Sequence, residues 1–257
     1  MTALSTMDTF KIIENFMDRN EKFFFTRFSD GEIWTMIGKE IPSLCKTVNT
    51  PELQNEMIEA MCIKDEKYLK AVGVIWDHEP GMRPGIFLPF GNIDEKLILE
   101  IENKISFQES ILNPITFHYL AVFKPKLFGN FIAKHIWNKK KMFIGCGSKE
   151  NMEKLFGTID TYIETPRESS FDALDDIWEQ VKDNLNGIEL VLPTCGLVSA
   201  IINKKLFEMN AMVQSLDFGS IVDCFDFVTS RLWIDKVGPK TRDRISIAIM
   251  EALKEEV

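Results

Sequence analysis

Arg27-Phe28-Ser29-Asp30-Gly31-Glu32 crowds a guanidinium, a hydroxyl and two carboxylates into six residues, directly after the aromatic run Phe23-Phe24-Phe25. An apolar run that ends so abruptly in charge reads as a short buried strand opening into a polar turn. In an Asp-x-Glu triplet the two carboxylates point the same way in extended backbone, and they can converge where Gly31 lets the chain turn tightly. Hard cations such as Mn2+ and Mg2+ are held by one or two carboxylates, leaving their other positions to water and substrate phosphates. Asp30 and Glu32 are therefore the candidate metal ligands. Arg27 offers a planar fork that could grip a diphosphate bridged by the same ion. The residues also suit a helix start, with Ser29 or Asp30 as N-cap and Glu32 in the favourable first turn, and the two roles can coexist.

The second half of the chain supplies further candidates. Lys141 to Gly145 reads as a strand entering the turn Gly145-Cys146-Gly147-Ser148, with a helix over Lys149–Phe156. Gly145 and Gly147 lack the third glycine of a dinucleotide fingerprint, but the turn can still offer backbone N–H groups to a phosphate or ribose. Ile188 to Pro193 is a strand followed by Thr194-Cys195-Gly196 and a helix over Leu197–Glu208, and Met212 to Asp217 is a strand that delivers Asp217 to its carboxyl end. Between them Tyr162 to Pro166 forms a short strand. Ser169-Ser170-Phe171-Asp172 then caps a helix over Ala173–Asn184, with Ser170 able to touch a nucleotide. Repeated strand, turn and helix predict an α/β fold, a Rossmann-like, mostly parallel sheet flanked by helices. Ligands of such sheets sit at the carboxyl ends of the strands. If the first strand joins the sheet, Asp30, Glu32, Gly145, Gly196 and Asp217 line one cleft.

The remaining elements frame this sheet. Apolar spacing predicts helices over Thr9–Arg19, Ile33–Ile37, Pro51–Lys70, Lys96–Ile105 and Tyr119–Trp137, the last broken at Pro125, and a strand over Ala71–Ile75. After Ile221 the chain reads as loop and then helix from Thr241, separated by Gly238-Pro239-Lys240. Trp76 to Gly85 is a loop rich in proline and glycine that could fold over a ligand. His78 within it reads as an exposed turn residue, while His118 and His135, in aromatic surroundings, read as hydrogen-bonded packing residues.

Composition limits the function. A net charge of −9 argues against a broad nucleic-acid footprint. The five cysteines are widely spaced without a Cys-x-x-Cys pair, as expected of reduced thiols in a cytoplasmic protein. Cys146 and Cys195 lie in turns of the proposed cleft, but no base stands beside either in sequence. The first residues lack the pattern of a signal peptide, and no apolar run reaches the roughly 18 to 20 residues of a membrane span. At 257 residues the chain suits one large α/β domain over 1–257. The oligomeric state is left open, with a homo-oligomer among the options.

The stretch Arg27 to Glu32 resembles the Arg-aromatic-Gly-Asp-Gly-Glu signature of the GT-D-type glycosyltransferases, formerly a domain family of unknown function. A second resemblance lies in Val191-Leu192-Pro193-Thr194-Cys195-Gly196-Leu197 and in Ser215-Leu216-Asp217-Phe218-Gly219-Ser220, similar to that family's strand, glycine turn, helix and Asp-x-Gly-His ending. Ser29 stands where the family often has Gly. Ser220 stands where it usually has His, which removes a possible ligand or proton carrier. The resemblance implies a GT-D-type fold and a metal-dependent transferase moving a sugar from a nucleotide-sugar, most simply a UDP-sugar, to a glycan, glycoprotein or other hydroxyl acceptor. Asp30 and Glu32 would then hold Mn2+ or Mg2+ and Arg27 would assist at the diphosphate. Ser29, Gly145, Gly147, Ser170, Thr194 and Gly196 would contact the donor, and Asp217 would act as base or support. The alternatives are a non-catalytic nucleotide- or glycan-binding module and a phosphotransfer or nucleotide-hydrolysing enzyme, the common phosphate-binding loop of NTPases being absent.

Overall fold

The computed structural model describes residues 2–39, 47–73, 110–228 and 232–255. Its centre is a six-stranded, all-parallel sheet of β2 (Phe23–Phe28), β3 (Tyr68–Val72), β5 (Lys141–Gly145), β6 (Thr161–Glu164), β7 (Leu190–Thr194) and β8 (Gln214–Leu216), in the order β3-β2-β8-β7-β5-β6. A small parallel pair, β1 (Thr2–Ala3) with β4 (Ser110–Ile111), adjoins it at β3, where Leu112 bridges to Ala71. The α/β fold expected of the sequence is therefore present. Its strands are nearly continuous apolar runs because both faces are covered. The pleat divides β2 between two cores: Phe23 and Phe25 join one, Phe24 and Phe28 the other.

The first core is closed by α1 (Thr6–Asp18), α4 (Thr116–Phe123), α5 (Pro125–Ile132), a π-helical turn at Ala133–Trp137, α6 (Lys149–Phe156), α9 (Ile221–Phe225) and α10 (Leu232–Glu255). The second is closed by α2 (Asp30–Met36), α3 (Pro51–Cys62), α7 (Leu174–Asn184) and α8 (Val198–Glu208). Following the chain, α2 leaves β2 for the second core whereas Phe218 and α9 leave β8 for the first. In the same way α6 leaves β5 for the first core and α8 leaves β7 for the second. Neighbouring strands whose connections diverge open a crevice at their carboxyl ends. The connections therefore diverge at every step from β2 to β6, and the candidate residues gather at two of these places, β2/β8 and β7/β5.

Asn203 of α8 ties the first of these pairs together. It is fully buried, its Nδ2 donates to Phe25 O (3.2 Å) and Thr26 Oγ1 (3.0 Å), and Ser215 Oγ donates to its Oδ1 (2.6 Å). One side chain thus fixes β2 against β8, the strands that carry Arg27 and Asp217.

Several element boundaries differ from the sequence expectation. The helix expected over Pro51–Lys70 ends at Cys62, and the strand expected from Ala71 begins at Tyr68. Asp65 Oδ1 accepts from Lys67 N (2.8 Å) and turns the chain, while Lys70 lies buried in the strand with its Nζ donating to Met61 O (2.8 Å). A charged residue satisfied by a carbonyl concealed the strand. The acidic turn is itself the first turn of α2, so that helix starts at Asp30 rather than Ile33. Ser170–Ala173 is a 3₁₀ turn ahead of α7, with Ser169 in left-handed backbone (φ 52°) rather than capping a helix from Ala173. The last helix runs through Gly238-Pro239 from Leu232 instead of starting at Thr241. A proline within a helix removes one N–H. Here Gly238, buried against Ile234 and Cys224, leaves room for the chain to continue, and Cys224 Sγ donates to Gly238 O (3.1 Å). Burial of Ile245 and Ile249 in the first core then fixes the helix. The loop with His78, the expected helix over Lys96–Ile105 and Cys45 lie outside the described residues.

Candidate active site

At the β2/β8 crevice the guanidinium of Arg27 is held on several sides. Its Nε donates to Pro114 O (2.7 Å), Nη2 donates to Ser29 Oγ (3.1 Å), and Nη1 lies 3.6 Å from Asp217 Oδ1. Beneath it runs Gly219, in left-handed backbone (φ 57°), where any Cβ would fall onto Nη1. Gly219 N donates to Asp217 Oδ1 (2.8 Å), so the turn after β8 folds around its own carboxylate. Asp217 is buried, and that burial raises its pKa against the pull of Arg27 and of the Gly219 bond.

Asp30 and Glu32 stand beside this clasp on the first turn of α2, both half-buried. Because the triplet is helical, the two side chains leave the axis roughly 200° apart instead of side by side. Glu32 folds back so that Oε2 accepts from Ser29 N (2.8 Å), one half of a capping box. Ser29 is thus the N-cap, as the helix-start alternative had it. Burial pushes Glu32 up to about 7, with Asp30 and Asp217 adding to the rise and a backbone hydrogen bond and Arg27 opposing it. Three carboxylates around one guanidinium form a site short of positive charge. The two carboxylates on α2 diverge, so sharing one cation would require Glu32 to leave Ser29 N and turn toward Asp30. Among the described residues no group of three or more His, Cys, Asp or Glu is placed to hold a metal ion, so such a site would be a two-carboxylate one.

The β7/β5 crevice is lined by the two glycine turns. Gly145 pairs with Thr194 across the strands, and a Cβ on Gly145 would strike Thr194 Oγ1. Thr194 Oγ1 donates to Ile144 O (3.3 Å) and Ser170 Oγ donates to Cys195 O (3.2 Å), so both hydroxyls hold the turns in shape. Gly196 takes left-handed backbone (φ 65°), and Cys195 N donates to Ser199 Oγ (2.9 Å). Gly147 O accepts from Tyr162 Oη. Burial pushes the Cys195 thiol up to about 12, with Asp217 adding to the rise, and burial also raises Cys146. Both thiols stay protonated near neutrality, which removes them as nucleophiles. Both crevices open on the carboxyl edge of the same sheet, with β7 and β8 paired between them.

Two groups escaped the sequence reading. Asp226, at the end of α9, reaches the first glycine turn, where its Oδ1 accepts from Ser148 N (2.9 Å) and from Asn151 Nδ2 (3.3 Å). Arg167 holds the other oxygen of Asp226 (Nη2 to Oδ2 3.2 Å) and lies 3.6 Å from Asp223. The second is the partner of His118 of α4: the histidine is buried and hydrogen-bonded, as its sequence setting implied, but its Nε2 lies 3.0 Å from Ser220 Oγ. An imidazole thus stands directly behind the serine that departs from the resembled Asp-x-Gly-His ending. Both pairings join residues far apart in sequence, and local pattern carries no signal for them. His135 packs on Phe131 as expected, but its buried Nε2 lies 3.7 Å from Asp18 and makes no hydrogen bond, and burial lowers its pKa to about 4.

The comparisons with known proteins agree with the fold just described. No family model and no curated protein matches the chain. Among solved structures it is similar to a glycosyltransferase (DUF1792) from Streptococcus sanguinis, with 14% identity, a TM-score of 0.64, and coverage of 85% of this chain and 81% of that one. Two further DUF1792 structures, one described as a distinct glycosyltransferase fold, give 18% and 17% identity and TM-scores of 0.61 and 0.58, each covering 85% of this chain and 78% of theirs. The chain therefore has the fold of the DUF1792 glycosyltransferase structures.

Proposed function

We propose that this protein is a glycosyltransferase that uses a nucleotide-sugar, with UDP as the first candidate nucleotide, and a hydroxyl acceptor on a glycan or glycoprotein. The fold shared with the DUF1792 structures supports the reaction class. The observation that carries the site assignment is the Arg27 guanidinium, held by Pro114 O, Ser29 and Asp217 at the carboxyl edge of the sheet beside Asp30 and Glu32. Arg27, already oriented, would donate its remaining N–H groups to the oxygens of a diphosphate without further ordering. Asp30 and Glu32 would hold Mn2+ or Mg2+, which when bound neutralises charge on the departing diphosphate. The glycine turns at Gly145–Ser148 and Thr194–Gly196 would take the nucleoside and its phosphates through backbone N–H groups. Asp217, engaged with Arg27 and Gly219 N, acts in this scheme as the support of the guanidinium.

The four described cysteines are free, which suits a reducing compartment such as the cytoplasm. No helix among the described residues is long and apolar enough to cross a membrane.

The test is calorimetric titration of UDP and GDP, with and without Mn2+, into the protein and its Asp30→Ala/Glu32→Ala variant. Mn2+-dependent binding of UDP that the double variant loses is the expected result. Binding indifferent to both changes would return Asp30 and Glu32 to helix capping and favour a plain nucleotide-binding module.

A further inference from the structure

Ser220 follows directly on Gly219, whose backbone underlies the Arg27 guanidinium, so its hydroxyl stands half-buried at the rim of the β2/β8 crevice. Behind it lies His118, 4% exposed, with Nε2 3.0 Å from Ser220 Oγ. The geometry is held from both sides. Phe117, next to the histidine, stacks on Phe218 of the turn (centroids 4.3 Å apart), and Pro114 at the start of the same segment accepts from Arg27 Nε. The imidazole thus meets the hydroxyl of a residue one step along the chain from the Arg27 clasp. Asp217 Oδ1, by contrast, is occupied by Arg27 and Gly219 N.

We propose that Ser220 and His118 form a two-member proton carrier for the transfer step, an inference that rests on the glycosyltransferase reading. As the acceptor oxygen bonds to the anomeric carbon, its O–H bond breaks and the proton passes to Ser220 Oγ. Ser220 releases its own proton to His118 Nε2. The bond from the anomeric carbon to the diphosphate oxygen breaks, and its electron pair leaves with the diphosphate. The proton held on His118 returns through Ser220 to water after product release. Ser220 is the member that touches substrate, and His118 is the positioning residue and proton store behind it. This arrangement requires Nε2 to be the unprotonated ring nitrogen of the resting enzyme, receiving the serine O–H.

Two measurements on the full chain test the proposal. Imidazole 15N NMR, assigned with a His→Gln variant at each of the three histidines, is expected to show an acceptor-type Nε2 at His118 whose shift moves in Ser220→Ala. A protonated Nε2 overturns the relay whatever the activity. Release of UDP from UDP-glucose, UDP-galactose and UDP-N-acetylglucosamine, with Mn2+ and a panel of sugar acceptors, gives the second readout. With the donor that turns over, Ser220→Ala and His118→Gln are each expected to lower kcat about 100-fold, the double variant no further, and donor KM is expected to hold. Ser220→Thr, which keeps the hydroxyl, should recover most of the loss. Unchanged kcat in His118→Gln overturns the relay while leaving the transferase reading intact. A wild type inert toward all three donors overturns both.

Discussion

The guanidinium of Arg27 lies directly on the backbone of Gly219, with Nη1 where a side chain at position 219 would begin. The left-handed φ of 57° at Gly219 makes the same demand from the backbone. Gly219→Ala should therefore push Arg27 off Asp217 and strain the turn, costing about 1–2 kcal/mol of stability in urea unfolding. It should also weaken UDP binding, because the diphosphate fork would no longer be held in place.

Glu32 gives the protein a pH dependence with a definite sign. Its carboxyl is pushed up to about 7 from an ordinary 4.5, so between these values the folded state holds a proton that the unfolded state has lost. Stability attributable to Glu32 is full below about 4.5 and falls as pH rises through 7. Glu32→Gln keeps an acceptor for Ser29 N and removes the charge. Urea unfolding at pH 5 and pH 8 should show a smaller loss in the variant than in the wild type. A bound cation would reverse the penalty, so added Mn2+ should stabilise the wild type more at pH 8 than at pH 5, and Glu32→Gln less at both.

Asp226 places a carboxylate on Ser148 N, at the glycine turn where a phosphate would arrive. Asp226→Asn retains an oxygen for that N–H and removes the negative charge. UDP should then bind more tightly, by roughly three- to tenfold at low salt and less at high salt, as one nearby like charge would require. Calorimetry at two ionic strengths measures it.

Asn203 bridges β2 and β8 from the buried side, so its loss should reach the crevice as well as the core. Asn203→Ala leaves Thr26 Oγ1 and Ser215 Oγ without this partner and is expected to cost about 1–3 kcal/mol by chemical unfolding. The accompanying loosening of β2 against β8 should lower UDP affinity even though Asn203 touches no ligand.

Much of the architecture was legible because parallel strands buried on both faces write themselves as apolar runs followed by turns. The aromatic run from Phe23, Lys141 to Gly145 and Ile188 to Pro193 were read that way, and the carboxyl ends of the observed strands Phe23–Phe28, Lys141–Gly145 and Leu190–Thr194 do meet on one edge. Tyr68–Val72 was read late because Lys70, satisfied by Met61 O, breaks the apolar pattern. Pro239 signalled an end that the burial of the following isoleucines overrides. At the site, residue types were visible but their bonds were not. That Ser170 and Thr194 hold backbone and that Asp226 and His118 enter from distant segments are facts of pairing across the fold, whereas the bond from Ser29 N to Glu32 is local and belongs to the helix start legible in the sequence.

The neighbour relation of β2 and β8 also sets when the crevice can exist. β2 is among the first strands to be synthesised and β8 is the last, yet Phe23 pairs with Gln214 and Phe25 with Leu216. During translation Arg27 must wait, with Asp30 and Glu32 already made, until the ribosome has released most of the chain and Asp217 can arrive. Contacts of such long sequence separation are slow to close. Until β8 arrives the site is incomplete and one edge of β2 is uncovered, a template for wrong pairing.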